Sequence, residues 1–137
     1  MPQGLYFPGF SATDANPDMG DSAIVETLGL GAFAMSASPA VAQFLGVGGW
    51  AEARRYTEEM LEITAGRHPH LLLPTFDDLG VPSGIDVRKV VETAIVPWIN
   101  TGIAHCQAGV GQIGAGVVQA PLECFVQALE AFATAYL

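Results

Sequence analysis

The stretch WINTGIAHCQAGVGQIGAGVVQ, residues 98–119, decides the fold class. Its opening, residues 98–105, is short, apolar and free of charge, and reads as a strand. Glycines at 109, 111, 114 and 116 predict a loop that returns into a second short strand over residues 116–119. Pro121 then starts a helix over residues 121–136. Leu122, Phe125, Val126, Leu129, Phe132, Ala133 and Tyr136 make one face of it, and Glu123, Gln127, Glu130 and Thr134 the other. Strands and helices mixed along one short chain place it in the α+β class.

Working back from there, Ser83 or Asp86 caps a helix over residues 86–95, which Pro97 ends. The run DDLGVPSG, residues 77–84, reads as a turn-rich loop, and residues 70–76 as a short buried strand. Residues 50–65 form the clearest amphipathic helix of the first half. Trp50, Ala53, Thr57, Met60, Ile63 and Thr64 recur every three or four residues, and Arg54/Glu58 and Arg55/Glu59 pair on the wet side. Gly66 terminates it. Ser38 followed by Pro39 starts a helix that ends near Gly46, and Asp21 caps one over residues 22–28. Residues 1–20 read as irregular or briefly extended, with Tyr6, Phe7 and Phe10 needing a surface to pack on. The expectation is one domain over residues 1–137, mainly α-helical with a few short strands.

Half of the residues are hydrophobic and only 14% are charged, against about a quarter in an ordinary globular domain. Too few charges remain to cover the outside, so apolar surface should stay exposed and mark an interface. A missing remainder of the same protein, or a second subunit, would cover it. The net charge is −9, with Arg54, Arg55, Arg67, Arg88 and Lys89 as the basic residues. No basic stripe exists to displace counterions from a nucleic acid or to hold an anionic membrane. Residues 27–51 carry no charge and are long enough to span a bilayer, but five glycines and Pro39 split them into two helical pieces. Cys106 and Cys124 read as reduced thiols of a cytoplasmic protein. His68, His70, His105 and Cys106 form no known metal-ligand spacing, so neither a metal nor a cofactor is expected.

Four constellations carry candidate chemistry. The glycines spell G-x-G-x-x-G from Gly109 to Gly114, but Pro121 arrives too soon for the second strand and acid of a dinucleotide site. Close approach to another backbone or to a ligand remains open for Gly109, Gly111 and Gly114. The segment SGIDVRKVVET, residues 83–93, sets Arg88 and Lys89 beside a helix N-terminus, the best anion site in the chain unless Asp86 and Glu92 neutralise them. The segment NTGIAHCQAGVGQ, residues 100–112, places Asn100, Thr101, His105, Gln107 and Gln112 among apolar residues. His105 is there either an acid–base group or a hydrogen-bonded core histidine. In DANPDMGDSAIVE, residues 14–26, caps and turns account for Asp14, Asp18, Asp21 and Glu26 more simply than a divalent cation does.

Three segments resemble the YlbE/AllG-like family: GLYFPGFSATDANPDMGDSAIVETLGLGAFAM (residues 4–35), GIDVRKVVETAIVPWINTGIAH (84–105) and AGVGQIGAGVVQAPLECF (108–125). Members of that family are much longer and carry these motifs in their C-terminal part, so the resemblance implies a truncated piece of a larger multi-domain protein. It further implies a subunit of an oxamate carbamoyltransferase-type enzyme. Such an enzyme interconverts carbamoyl phosphate plus oxamate with oxalurate plus phosphate in allantoin breakdown, beside an FdrA-like partner subunit and in an oligomer. Within the matched motifs, His105, Thr101 and Asn100 are then the catalytic candidates. Arg88, Lys89, Gly109, Gly111, Gln112, Gly114, Asp21 and Glu26 are the candidates for holding a small anionic substrate. Cys106 and Gln119 stand where a basic residue is expected, which removes positive charge near the glycines. The competing expectation is a non-catalytic module that packs on the FdrA-like partner.

Overall fold

A computed structural model describes residues 3–17, 23–46 and 48–136. The fold is α+β. Strands β1 (Gln3–Tyr6), β4 (Trp98–Ala104) and β5 (Gln112–Gln119) form an antiparallel sheet in the order β1-β5-β4. Strands β2 (Thr64–Leu73) and β3 (Leu79–Ile85) form a separate two-stranded ribbon. The helices are α1 (Ala23–Glu26), α2 (Pro39–Phe44), α3 (Trp50–Ile63), α4 (Val87–Thr93) and α5 (Leu122–Tyr136). A 3₁₀ stretch over Gly31–Ala37, kinked at Ala34, runs through the middle of the molecule. Among the described residues, no helix is long and apolar enough to cross a membrane. The expected cap at Asp21 lies outside the described residues.

The glycine-rich segment is more extended than its composition predicts. β5 begins at Gln112, four residues before the expected strand over residues 116–119, so Gly114 is a strand residue rather than a loop residue. Gly4 pairs with Gly116 across β1 and β5, and Gly114 with Tyr6. A Cβ on Gly116 would run into the Gln3 carbonyl, and one on Gly114 into the Leu5 carbonyl. These glycines therefore serve the approach of two backbones.

The expected loop over residues 77–84 is also a strand. β3 pairs with β2 from Leu73↔Leu79 to Thr64↔Ile85, with a register shift between Arg67 and Leu72. Pro82 lies opposite Arg67. A two-stranded ribbon consists only of edges, so a proline there removes no ladder bond that a third strand would need. The helix ending in the long amphipathic segment stops at Ile63, two residues earlier than the periodicity predicts, and Thr64 already belongs to β2.

Three apolar clusters hold these elements together. Met35, Ala42, Leu45, Ala53 and Tyr56 pack against Ala115 and Val117 of β5, with Trp98 alongside. Phe33, Met60, Ile63 and Val90 form a second cluster that Phe125 and Ile85 border. Tyr6 and Phe10 find their surface on Ile103 and Ile113. Full burial of a side chain such as Phe33 or Met60 contributes about 1.5–3 kcal/mol. α3 buries Ala53, Tyr56, Thr57, Met60 and Ile63, while Trp50 stays half exposed with the Arg54 guanidinium 5.6 Å from its ring.

α5 forms over Leu122–Tyr136, as the sequence predicts. Its apolar stripe is present, yet no residue of the helix is buried. Phe125, Val126, Leu129 and Ala133 are half-buried. Phe132 and Tyr136 stand out at 56% and 75% exposure, their rings 4.9 Å apart. Periodicity marks an apolar face; whether anything covers that face is a tertiary matter.

Candidate functional site

The sequence candidates fall into three groups, and the first is the most enclosed. Glu26 ends α1 and is 5% exposed. Its carboxyl accepts the backbone N–H of Asn100 on both oxygens, at 2.9 and 3.0 Å, and that of Ala32 at 3.2 Å. The chain doubles back under it at Gly31, whose φ of 56° and lack of a side chain are both required, because a Cβ there would meet the Glu26 carboxyl. A cavity of about 270 Å³ opens beside this clasp, lined by Gly31, Ala34, Met35, Ser38, Val41 and Asn100. Thr101, next on β4, is buried and its hydroxyl donates to the Gly102 carbonyl at 3.2 Å. Glu26 and Asn100 are thus brought together, while Thr101, the next strand residue, does not line this cavity.

His105 follows the far end of β4. Its N–H donates to Gly111 O at 2.9 Å, and its Nδ1 accepts from Gln107 N at 2.8 Å. A neutral ring that accepts at Nδ1 carries its proton on Nε2. Phe10 meets the imidazole edge-on, with centroids 5.8 Å apart. Asp14 lies close by and is held below the usual carboxylate range by hydrogen bonds from the Ser11 hydroxyl and N–H, with a smaller contribution from His105. Gly109 and Gly111 adopt φ of 88° and 92° in an open turn. Gln112 turns back to donate to Gly114 O at 2.7 Å.

Arg88 and Lys89 form the third group, at the start of α4. Asp86 caps the helix by accepting from Arg88 N at 3.0 Å, and its carboxyl also takes Arg88 Nε at 2.9 Å and Nη2 at 2.6 Å. The Arg88 hydrogen bonds hold the Asp86 carboxyl down at about 2. Lys89 Nζ donates to Thr64 O at 2.7 Å, tying α4 to the junction of α3 and β2. Asp86, one of the two acids weighed above, thus pairs with Arg88, whereas Lys89 is held by a backbone carbonyl rather than by Glu92.

None of the cavities described among these residues is lined by all three groups. Val90 of α4 packs in the cluster that Trp98 borders, whereas His105 follows the other end of β4. Seven strand residues at about 3.3 Å each separate the two ends by about 20 Å. Among the described residues, no group of His, Cys, Asp or Glu could hold a metal ion. Asp21 lies outside the described residues. Sequence reasoning named Glu26 and Asn100 separately but not as partners, and it missed Gly31 and Ser38 as cavity residues. The glycine at 31 and the Ser38-Pro39 helix start were the available signals.

No family model matches the chain. "Oxamate carbamoyltransferase subunit AllG" of Escherichia coli (strain K12) is 60% identical over 132 residues, covering 96% of this chain and 32% of that protein. "Uncharacterized protein YahG" of the same strain is 46% identical over 126 residues, covering 92% of this chain and 26% of that protein. The crystal structure of a conserved protein of unknown function from Enterococcus faecalis V583 superposes with a TM-score of 0.92 at 49% identity, covering 97% of this chain and 32% of the other. The chain thus spans about a third or less of the length of the proteins it matches. Similarity of this extent, across the motifs that carry the Glu26–Asn100 clasp, makes the chain a member of the AllG/YahG-like family.

Proposed function

We propose that this chain forms part of a subunit of a carbamoyltransferase-type enzyme, and that its Glu26–Asn100 clasp and adjoining cavity face the substrate. The observation that carries the reading is the 270 Å³ cavity lined by Gly31, Ser38 and Asn100, in a relative of a protein named as an oxamate carbamoyltransferase subunit. A cavity of that size suits a small molecule at the lower end of ligand pockets. The Asn100 amide and Ser38 hydroxyl match the donors and acceptors of a carbamoyl group.

In the reaction, the oxamate nitrogen attacks the carbamoyl carbon, the bond to the phosphate oxygen breaks, and the proton lost by the nitrogen is taken up by the departing phosphate. Both substrates are anions, and their transfer needs positive charge or oriented N–H groups. None of the cavity residues is basic. The chain therefore contributes the amide-facing side of a site whose cations come from further polypeptide. Arg88, Lys89, His105, Gly109, Gly111, Gln112 and Gly114 enter this reading as groups outside the cavity. Among them, His105 and the turn at Gly109 and Gly111 touch substrate only across a contact with that polypeptide.

The test replaces the matching 132 residues of AllG with this chain and assays carbamoyl transfer in the assembled enzyme. Asn100→Ala and Ser38→Ala should each lower kcat/KM by roughly two- to tenfold, the worth of a hydrogen bond between neutral groups. Unchanged constants in both variants would remove the cavity from the site.

The second reading is a non-catalytic module that packs on an FdrA-like partner. The engaged state of Arg88 and Lys89 favours it. Under this reading the same chimera assembles and turns over, but is indifferent to both substitutions.

A further inference from the structure

Over residues 24–30 the large apolar side chains face outward. Ile24 is 82% exposed, Val25 51%, Leu28 57% and Leu30 42%. This is not the fraying of a loose helix. Four residues of α1 cannot hold a helix by propensity, and contacts with distant residues fix the run from beneath. Glu26 accepts from Asn100 N and Ala32 N, Gly84 N donates to Thr27 O at 2.8 Å, and Ser83 Oγ donates to Leu28 O at 3.3 Å. The ridge is therefore a fixed feature of the fold.

Beside it lies a second cavity of about 260 Å³, distinct from the one at Asn100. Ile24 and Thr27 form one rim and Phe125 of α5 the other, while Phe33, Ile85 and Ile99 lie between. Phe33 and Ile99 belong to the buried core, so the opening leads down to it. α5 carries Leu122, Phe132 and Tyr136, exposed at 36%, 56% and 75%. Apolar area of this kind left in water is unfavourable and favours association.

Three occupants are conceivable, and the observations favour one. A second copy would bring together two chains that each carry a net charge of −9. An anionic lipid surface needs cations that this ridge lacks. The relatives, by contrast, continue for about two further lengths of polypeptide beyond the matched third.

We propose that the ridge of residues 23–30 and the cavity between α1 and α5 form the docking surface for polypeptide equivalent to the unmatched two thirds of the AllG-like relatives. That polypeptide inserts apolar side chains between Ile24 and Phe125. The inference is independent of the carbamoyl-transfer reading, since it concerns assembly and requires no turnover.

The experiment mixes this chain with AllG from which the matching 132 residues have been deleted, and measures complex formation by light scattering and calorimetry. A one-to-one complex is expected. Ile24→Glu and Leu28→Glu should weaken it by roughly tenfold or more, while Leu72→Glu, an exposed apolar position on the β2 ribbon, should leave it unchanged. Because the deleted AllG can fail to fold, hydrogen exchange is measured in parallel on the chimera described above. Amides of residues 23–30 and of α5 should exchange more slowly in the chimera than in the isolated chain. No slowing of exchange in the chimera overturns the proposal. So does a loss of binding for Leu72→Glu as large as that for Ile24→Glu. Self-association of the isolated chain that Ile24→Glu abolishes would assign the ridge to a second copy instead.

Discussion

Glu26 takes the backbone N–H of Asn100 on both of its carboxyl oxygens across 74 residues of sequence, joining the end of α1 to the interior of β4. The same carboxyl accepts from Ala32, so one buried side chain sets the relative position of three segments. Glu26→Ala takes this acceptor from both N–H groups, at a cost of about 1–3 kcal/mol for each that is left buried and unmade. Urea denaturation should show a loss of about 2–6 kcal/mol on that basis. A variant within 0.5 kcal/mol or so of the parent would show that the clasp is idle.

Thr57 plays the corresponding part inside α3. Its Oγ1 accepts from Ser36 N at 3.1 Å, and both residues are fully buried. Thr57→Val keeps the shape and removes the acceptor, so the chain should lose about 1–3 kcal/mol of stability. Thr57→Ser keeps the hydroxyl and should lose less. A larger loss for Thr57→Ser than for Thr57→Val would mean that packing of the methyl group, and not the hydrogen bond, matters at this position.

Phe125 and Met60 border the same apolar cluster from different depths. Met60 is fully buried, and Met60→Ala should cost about 2–5 kcal/mol. Phe125 is half-buried at the rim of an open cavity, so Phe125→Ala should cost only about 1–2 kcal/mol in the isolated chain. A cost for Phe125→Ala equal to that for Met60→Ala would show that α5 is integral to the core.

The Asp86–Arg88 contact predicts a sign for the acid limb of stability. Asp86 titrates at about 2 in the folded chain, below its ordinary value of 3.8. A depressed carboxyl stabilises the fold in full above the unfolded value, and that contribution fades as pH falls through 3.8 toward 2. Asp86→Asn retains a helix cap but loses the charge. Its melting temperature should lie a few degrees below the parent's at about pH 6, with the gap closing below about pH 4. A gap that is constant down to about pH 2 would exclude the ion pair as its cause.

The helices, and the strand over residues 98–104, were legible because their signals are local. Asp86 caps α4 as its position before Val87 predicts, Pro39 opens α2, and the 3–4 spacing of Ala53, Thr57, Met60 and Ile63 marks the buried side of α3. The α+β class and the resemblance to the AllG-like family were likewise open to reading, the latter through long contiguous motifs. β3 was not legible. Gly80, Pro82 and Gly84 carry turn chemistry, and only pairing with β2 makes them a strand. Gly114 misled in the same way, since a glycine chosen for contact with β1 looks the same in sequence as one chosen for a loop.

The candidate site divides along the same line. Residue type and motif singled out Glu26, Asn100, Thr101, His105, Arg88 and Lys89 from the sequence alone. The tertiary structure decided which of them meet: Glu26 with Asn100, His105 with the turn at Gly111, and Arg88 with Asp86. The apolar excess likewise announced an uncovered surface, but only the fold located it on Ile24, Val25, Leu28 and the rim at Phe125. The reason is physical. Caps, turns and periodicity act over a few residues, whereas a carboxyl finds an amide 74 residues away only after loops have closed and strands have chosen partners, and no single segment encodes that choice.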